Sequence, residues 1–242
     1  MGLIFLSAFS SRPPQEVLIA AASDLKYAMD SLVTAFSSEA NDISIKLVYG
    51  SSGNFYEQIS NDAPFDIFFS ADLGYPQKLE QQHKTLAPIK PYGTGQLVLW
   101  SRKLDPSKEG MNTLLAPSVT HIAIANPAHA PYGQRAEESL KHYQLYDKVR
   151  EKLVIGENIS QTAQFASTGA ADVGIIALSL ALSPQLQKEG KYWLIPAETH
   201  QPLKQGFVLL AHAKENEGAK KFAAFIESAR ARAILKHFGF GD

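Results

Sequence analysis

The chain has 242 residues, 45% of them apolar, enough for one large domain or two compact lobes with a real core, so a disordered chain is excluded. Lys and Arg number 23 against 24 Asp and Glu, and the formal charge of −1 removes the polycationic footprint of a nucleic-acid or membrane-surface binder. Without cysteine there is no disulfide framework, thiolate metal site or cysteine nucleophile, and no apolar run approaches the roughly 18 residues of a membrane span.

Residues 1–15 (MGLIFLSAFSSRPPQ) stand apart. The apolar stretch Leu3–Phe9, the small residues Ser7, Ala8, Ser10 and Ser11, and then Pro13-Pro14 resemble the core and cleavage zone of a secretory signal, although the first charge is Arg12. The segment reads as a signal-like leader; a short first strand or an added leader are the alternatives. Either way it lies outside the fold argument.

From Glu16 onward, strand patterns alternate with helical ones. Val17–Ala22, Ile43–Tyr49, Phe65–Ser70, Gln96–Ser101, His121–Asn126, Lys152–Gly156, Val173–Ala177 and Gly206–Ala211 read as strands. Most are continuously apolar, as expected of strands covered on both faces. Leu25, Met29, Leu32, Val33 and Phe36 form one helical stripe, and Arg135–Leu145, Gln161–Thr168 and Ala219–Ile226 repeat the period more weakly. This alternation predicts an α/β protein with mostly parallel sheets flanked by helices. The Pro/Gly clusters Pro88–Gly95 and Pro196–Gly206 divide it into lobe one, residues 16–93 and 205–242, and lobe two, residues 94–204. Two chain crossings make a hinge around a cleft.

Four strand-to-helix junctions offer free backbone amides: Ala21-Ala22-Ser23-Asp24, Tyr49–Asn54, Asn126–Gly133 and Gly156–Ser160. A helix N-terminus carries unpaired N–H donors and about half a positive charge, so it attracts anions. In open α/β sheets such junctions lie at the carboxyl ends of the strands, where ligands bind. Their convergence on one oxyanion is the functional expectation. The ordinary alternative is that Ser23 and its counterparts only cap helices.

Other chemistries find less support. The seven histidines show no H-x-x-x-H or H-x-H spacing, so no metal site is expected. His129 falls in the third junction, at the cleft mouth or in a structural role. There is no G-x-S-x-G elbow, and Asp66 and Asp72 read as loop-ordering and capping residues rather than a catalytic pair, so no enzyme is expected. Asp24 and Glu157 sit beside the presumed donors; at a first turn the dipole favours either carboxylate, which can point to solvent, whereas one turned inward would repel a dianion and count against anion binding. Tyr49, Phe55, Tyr56, Phe68 and Phe69 read as packing residues.

AAASDLKYAM, YGSSGNFYEQI, APFDIFFSAD, NPAHAPYGQRAEESL and GENISQTAQFASTGAADVGI together resemble the periplasmic molybdate-binding proteins of ABC importers, in the same order over residues 16–240. The resemblance implies a two-lobed periplasmic binding protein fold of the second type and capture of molybdate or tungstate for a membrane permease. It also implies a periplasmic location, a monomer, no cofactor and no nucleic-acid partner. By position it makes Ser23 and Ser52 donors through hydroxyl and amide, and Tyr132 and Ile159 donors through main-chain amides, with Asp24 and Ser51 as weaker candidates. Some members place a tyrosine hydroxyl where this chain has Ala177, so the Tyr132 hydroxyl, or simply fewer donors, would account for the difference. A binder of another tetrahedral anion such as sulfate, or a sensor module of the same fold, are the alternatives; this chain carries no helix-turn-helix pattern to favour the sensor.

Overall fold

The computed structural model describes residues 15–241, so the leader-like reading falls, except for Gln15, outside the described residues. The first sheet opens with β1 (Gln15–Ala22), β2 (Ile43–Gly50), β3 (Ile67–Ser70) and β4 (Lys90–Gly95). At Gln96 the chain crosses into a second sheet of β5 (Leu97–Ser101), β6 (Ile122–Ala125), β7 (Leu153–Gly156), β8 (Val173–Ala177) and β9 (Lys191–Leu194). It returns through β10 (Leu203–Leu209) to the first sheet. The helices are α1 (Lys26–Ser37), α2 (Ser52–Ser60), α3 (Gly74–Gln81), α4 (Pro131–His142), α5 (Tyr146–Val149), α6 (Ile159–Thr168), α7 (Leu178–Ala181), α8 (Pro184–Glu189), α9 (Glu217–Ile226) and α10 (Ala229–His237).

The two sheets share one plan, β2-β1-β3-β10-β4 and β7-β6-β8-β5-β9. The first three strands of each order run parallel. The fourth strand of each order, β10 or β5, is antiparallel to both of its neighbours, so each sheet is mixed, with four of its five strands running the same way, in keeping with the mostly parallel sheets the sequence predicts. Strands β4, β5 and β10 flank the crossings between lobes, and all take part in these antiparallel pairings. The architecture is the two-lobed α/β fold that the sequence predicts.

Two strands escape the sequence reading, and both are sheet edges. Strand β4 lies inside the Pro/Gly cluster that reads as punctuation; Pro91 is tolerated there because an edge strand does not need every ladder donor. Strand β9 is only four residues long, and its residues are mostly exposed. Each lobe has its own core. In lobe one Met29, Leu32 and Phe36 of α1 pack under β1 and β3, and Phe36 meets Phe222 of α9 edge-on at 5.1 Å. Phe55 and Phe68 fill the opposite face, and Trp100, Ile124 and Ile176 anchor lobe two. The aromatic residues of α2 and β3 are packing residues, as their sequence setting predicts.

Candidate functional site

Strand register fixes where the four junctions lie. Ala22 pairs with Gly50 at the ends of β1 and β2, and Ala125 with Gly156 at the ends of β6 and β7. The first two junctions are therefore neighbours in lobe one, the last two in lobe two. In each sheet the central parallel strand, β1 or β6, has successive crossovers leaving it to opposite sides. That is the switch point at which open α/β sheets bind ligands. Ser23, Asp24, Ser51, Ser52, Tyr132 and Ile159 all line one cavity of about 10 Å³, with Ala22, Gly50, Ala71, Ala130 and Pro131 completing its wall. No lysine or arginine is in that lining.

The capping alternative can be tested inside the same chain. Asn158, Ser183, Asn216 and Ser228 each accept a bond from a first-turn amide of α6, α8, α9 and α10. The junction serines behave otherwise. Ser51, at the N-cap of α2, makes no such bond, and Ser23 opens the 3-10 turn Ser23–Leu25 with no side-chain cap before it. Ser52, already inside α2, accepts from Ala71 N at 3.0 Å, which leaves its own proton to donate. Ser23 Oγ donates across the cleft to Asn158 Oδ1 at 3.2 Å and accepts from Ser160 N at 3.3 Å. These hydroxyls do not serve their own helices.

Lobe two contributes backbone. Pro131 takes the first position of α4 and Tyr132 the second, while Ile159 opens α6, so both amides lie in a first turn where no intrahelical acceptor exists. Their side chains are buried in the lobe-two core. Gly133 lets α4 close on β6, because a Cβ there would lie 2.2 Å from Ala125 O.

Asp24 takes the inward orientation that counts against a dianion. It does not point to solvent: it is 1% exposed, and its Oδ2 accepts from Tyr132 OH at 3.0 Å and Gln205 Nε2 at 2.8 Å. Tyr132 and Gln205 hold the side chain inward, and Ser179 Oγ donates to its main-chain oxygen at 2.7 Å. Oδ1 is buried without a partner. Burial outweighs the hydrogen bonds and pushes the Asp24 carboxyl up to about 6, and burial likewise pushes the Tyr132 and Tyr92 hydroxyls well up. The bond to Asp24 also commits the Tyr132 hydroxyl proton, so that hydroxyl does not replace the one missing at Ala177.

Glu157 does lie at the exposed rim, where it accepts from Asn54 Nδ2 at 2.7 Å. Ser51 Oγ is 2.8 Å from His129 Nδ1, so the hydroxyl is engaged by the opposite lobe. Asp66 accepts from Leu18 N and meets His212; Asp72 accepts from Gly74 N and pairs with Arg135. Among the described residues no three His, Asp or Glu side chains gather to hold a metal ion. Sequence reasoning missed Asn158 and Gln205 as partners of Ser23 and Asp24, because residues 135 and 181 positions away leave no local signal.

The sequence pattern of the bacterial extracellular solute-binding proteins matches residues 17–241. The chain belongs to this family. Among solute-binding relatives, the molybdate-binding protein ModA of Azotobacter vinelandii is 34% identical over 232 residues, 93% of this chain and 90% of that protein. ModA of Rhodobacter capsulatus is 34% identical over 227 residues, 93% and 88% of the two chains. The solved structure of the Azotobacter vinelandii periplasmic molybdate-binding protein aligns with a TM-score of 0.87 at 32% identity, covering 93% of this chain and 98% of that one. No helix among the described residues is long and apolar enough to cross a membrane.

Proposed function

We propose that this protein captures molybdate or tungstate between its lobes in the periplasm and delivers the anion to the permease subunits of an ABC importer. The observation that carries the reading is the convergence of four helix starts on a cavity without cations, where serines that should cap their helices do not. Ser52 supplies hydroxyl and amide, Ser23 supplies its amide and, once its proton turns from Asn158, its hydroxyl, and Tyr132 and Ile159 supply amides. The relatives named as molybdate-binding, one of them described as periplasmic, support the choice of ligand and compartment.

Neutral donors suffice. Hydrogen bonds to a charged group contribute about 1.5–3 kcal/mol each, so six or seven of them give roughly 10–20 kcal/mol before association costs of about 4–15 kcal/mol. Apart from the Asp24 carboxyl, which Tyr132 and Gln205 hold through Oδ2, the polar lining consists of hydroxyl and amide donors, and these favour an anion that carries no proton, because a phosphate hydroxyl would face them. Sulfate is also an unprotonated tetrahedral dianion, so it is rejected by size, the longer metal–oxygen bonds of molybdate reaching donors that sulfate leaves apart. Lobe closure follows from bonds of both lobes to one anion.

Calorimetric titration against a panel of oxyanions tests this. Molybdate and tungstate bind one per chain and compete, sulfate binds at least about 100-fold more weakly, a gap of only about 2.7 kcal/mol, and phosphate gives no heat. Phosphate or sulfate binding more tightly than molybdate would refute the assignment.

A further inference from the structure

The junctions hold a second set of contacts, at the solvent rim rather than in the cavity. Gly53 N of α2 donates to His129 O of the opposite lobe at 2.9 Å. Asn54 Nδ2, next along α2, donates to Glu157 Oε1 at 2.7 Å, and Ser51 Oγ lies 2.8 Å from His129 Nδ1. His129 Nε2 stands 3.6 Å from that same Glu157 oxygen, which joins the lobe-two partners into one unit. Three of these four contacts cross between lobes, so they exist only when the cleft is shut.

Gly53 shows that the close approach is built into the sequence. A Cβ at this position would lie 2.7 Å from His129 O and 2.9 Å from His129 Cα, backbone atoms that have no rotamer to yield. Its own backbone does not require glycine, since its φ is not positive, and glycine is a poor helix former at the second position of α2. The residue is explained by the opposing lobe and not by its own helix. Asn54, His129 and Glu157 are absent from the lining of the anion cavity.

We propose that Asn54, His129 and Glu157, admitted by Gly53, form a latch that sets how long the closed cleft retains its anion without touching it. The inference rests on the anion-capture reading above. The latch bonds are made only in the closed form, so they bias closure by their own free energy. An anion enters the open form and leaves only after reopening, so breaking the latch speeds release and leaves entry unchanged.

The test follows release of isotope-labelled molybdate from the full protein, chased with unlabelled molybdate, beside the calorimetric affinity. Asn54→Ala speeds release about 3- to 10-fold, and the entry rate derived from affinity and release stays within about twofold. Glu157→Ala speeds release by the same factor relative to Glu157→Gln, which makes the same charge change but keeps an oxygen for Asn54. The double variant Asn54→Ala/Glu157→Ala is no faster than its faster single, because both remove one bond. Gly53→Ala lowers affinity at least about 100-fold while its unliganded melting temperature is kept or raised, since alanine favours the helix. Parent-like release in Asn54→Ala, or multiplying effects in the double variant, overturns the latch. A parent protein that retains no labelled molybdate refutes the capture reading itself, whereas retained molybdate with unaltered release rates refutes the latch alone.

Discussion

The two lobes share a strand order but meet the anion site with different chemistry. Lobe one brings side chains: the Ser52 hydroxyl with its proton free, the Ser23 hydroxyl bonded to Asn158, and an aspartate held out of water beside them. Lobe two brings backbone: the first-turn amides of Tyr132 and Ile159, whose side chains are buried in the lobe-two core except for the Tyr132 hydroxyl, which reaches Asp24 and Gln205 of lobe one. Donors of the first kind are lost by changing one residue. Those of the second kind persist as long as the helix starts in the same place, so the chemistry of the pocket is legible from lobe one and its position from lobe two.

The largest effect should come from reversing the sign of one lobe-one donor. Ser52→Asp places a carboxylate against a dianion and removes binding altogether, more than about 1000-fold, while the first turn of α2 favours the new charge and the fold is retained. Loss of calorimetric binding with a preserved circular dichroism spectrum is the expected result.

Asp24 comes next, and its effect is on stability. Its carboxyl is raised from 3.8 to about 6, so the folded protein favours the neutral form. The associated stability is fully present below pH 3.8 and is lost as the pH rises through 6, leaving an ionised, buried carboxylate that costs about 3 kcal/mol at pH 8. Asp24→Asn keeps an acceptor for Tyr132 and Gln205 without the charge. Its melting temperature should exceed that of the parent at pH 8, and the gap should shrink steadily towards pH 4. A gap independent of pH would mean that Asp24 is ionised at no cost.

The smaller effects divide the lobes directly. Ser52→Ala removes one hydroxyl donor and keeps the amide, lowering molybdate affinity by about 1.5–3 kcal/mol, roughly 10- to 150-fold. Ile159→Val trims a core side chain, keeps the amide and leaves affinity within about threefold, although it costs about 0.5–1.5 kcal/mol of stability. If the two variants lost affinity equally, the contrast between side-chain and backbone donation would be wrong.

Much of this was readable from sequence for physical reasons. Most of the parallel strands are continuously apolar, and small, hydroxyl-bearing residues follow β1 and β2 where the next helices start. Two of the four edge strands were not readable, because β4 carries Pro91 and glycines and β9 is mostly exposed. The fate of individual polar side chains was not readable either. Asp24 reads as a first-turn acid free to face solvent or the cleft, and only the docking of Tyr132 and Gln205 fixes it inward. Ser51 reads as a weak donor to the anion until His129, 78 residues away, is placed against its hydroxyl.

The central claim is that an anion is held by neutral donors between the lobes and not by the cations available elsewhere on the surface. The molecule contains a direct competitor, a groove of about 690 Å³ along β4, β10 and α10 that is lined by Lys90, Lys204 and Arg232. A crystal grown with molybdate and measured at the molybdenum absorption edge locates the metal without assumptions about the site. The account predicts one strong anomalous peak among Ser23, Ser52, Tyr132 and Ile159; a dominant peak in the lysine- and arginine-lined groove would contradict it.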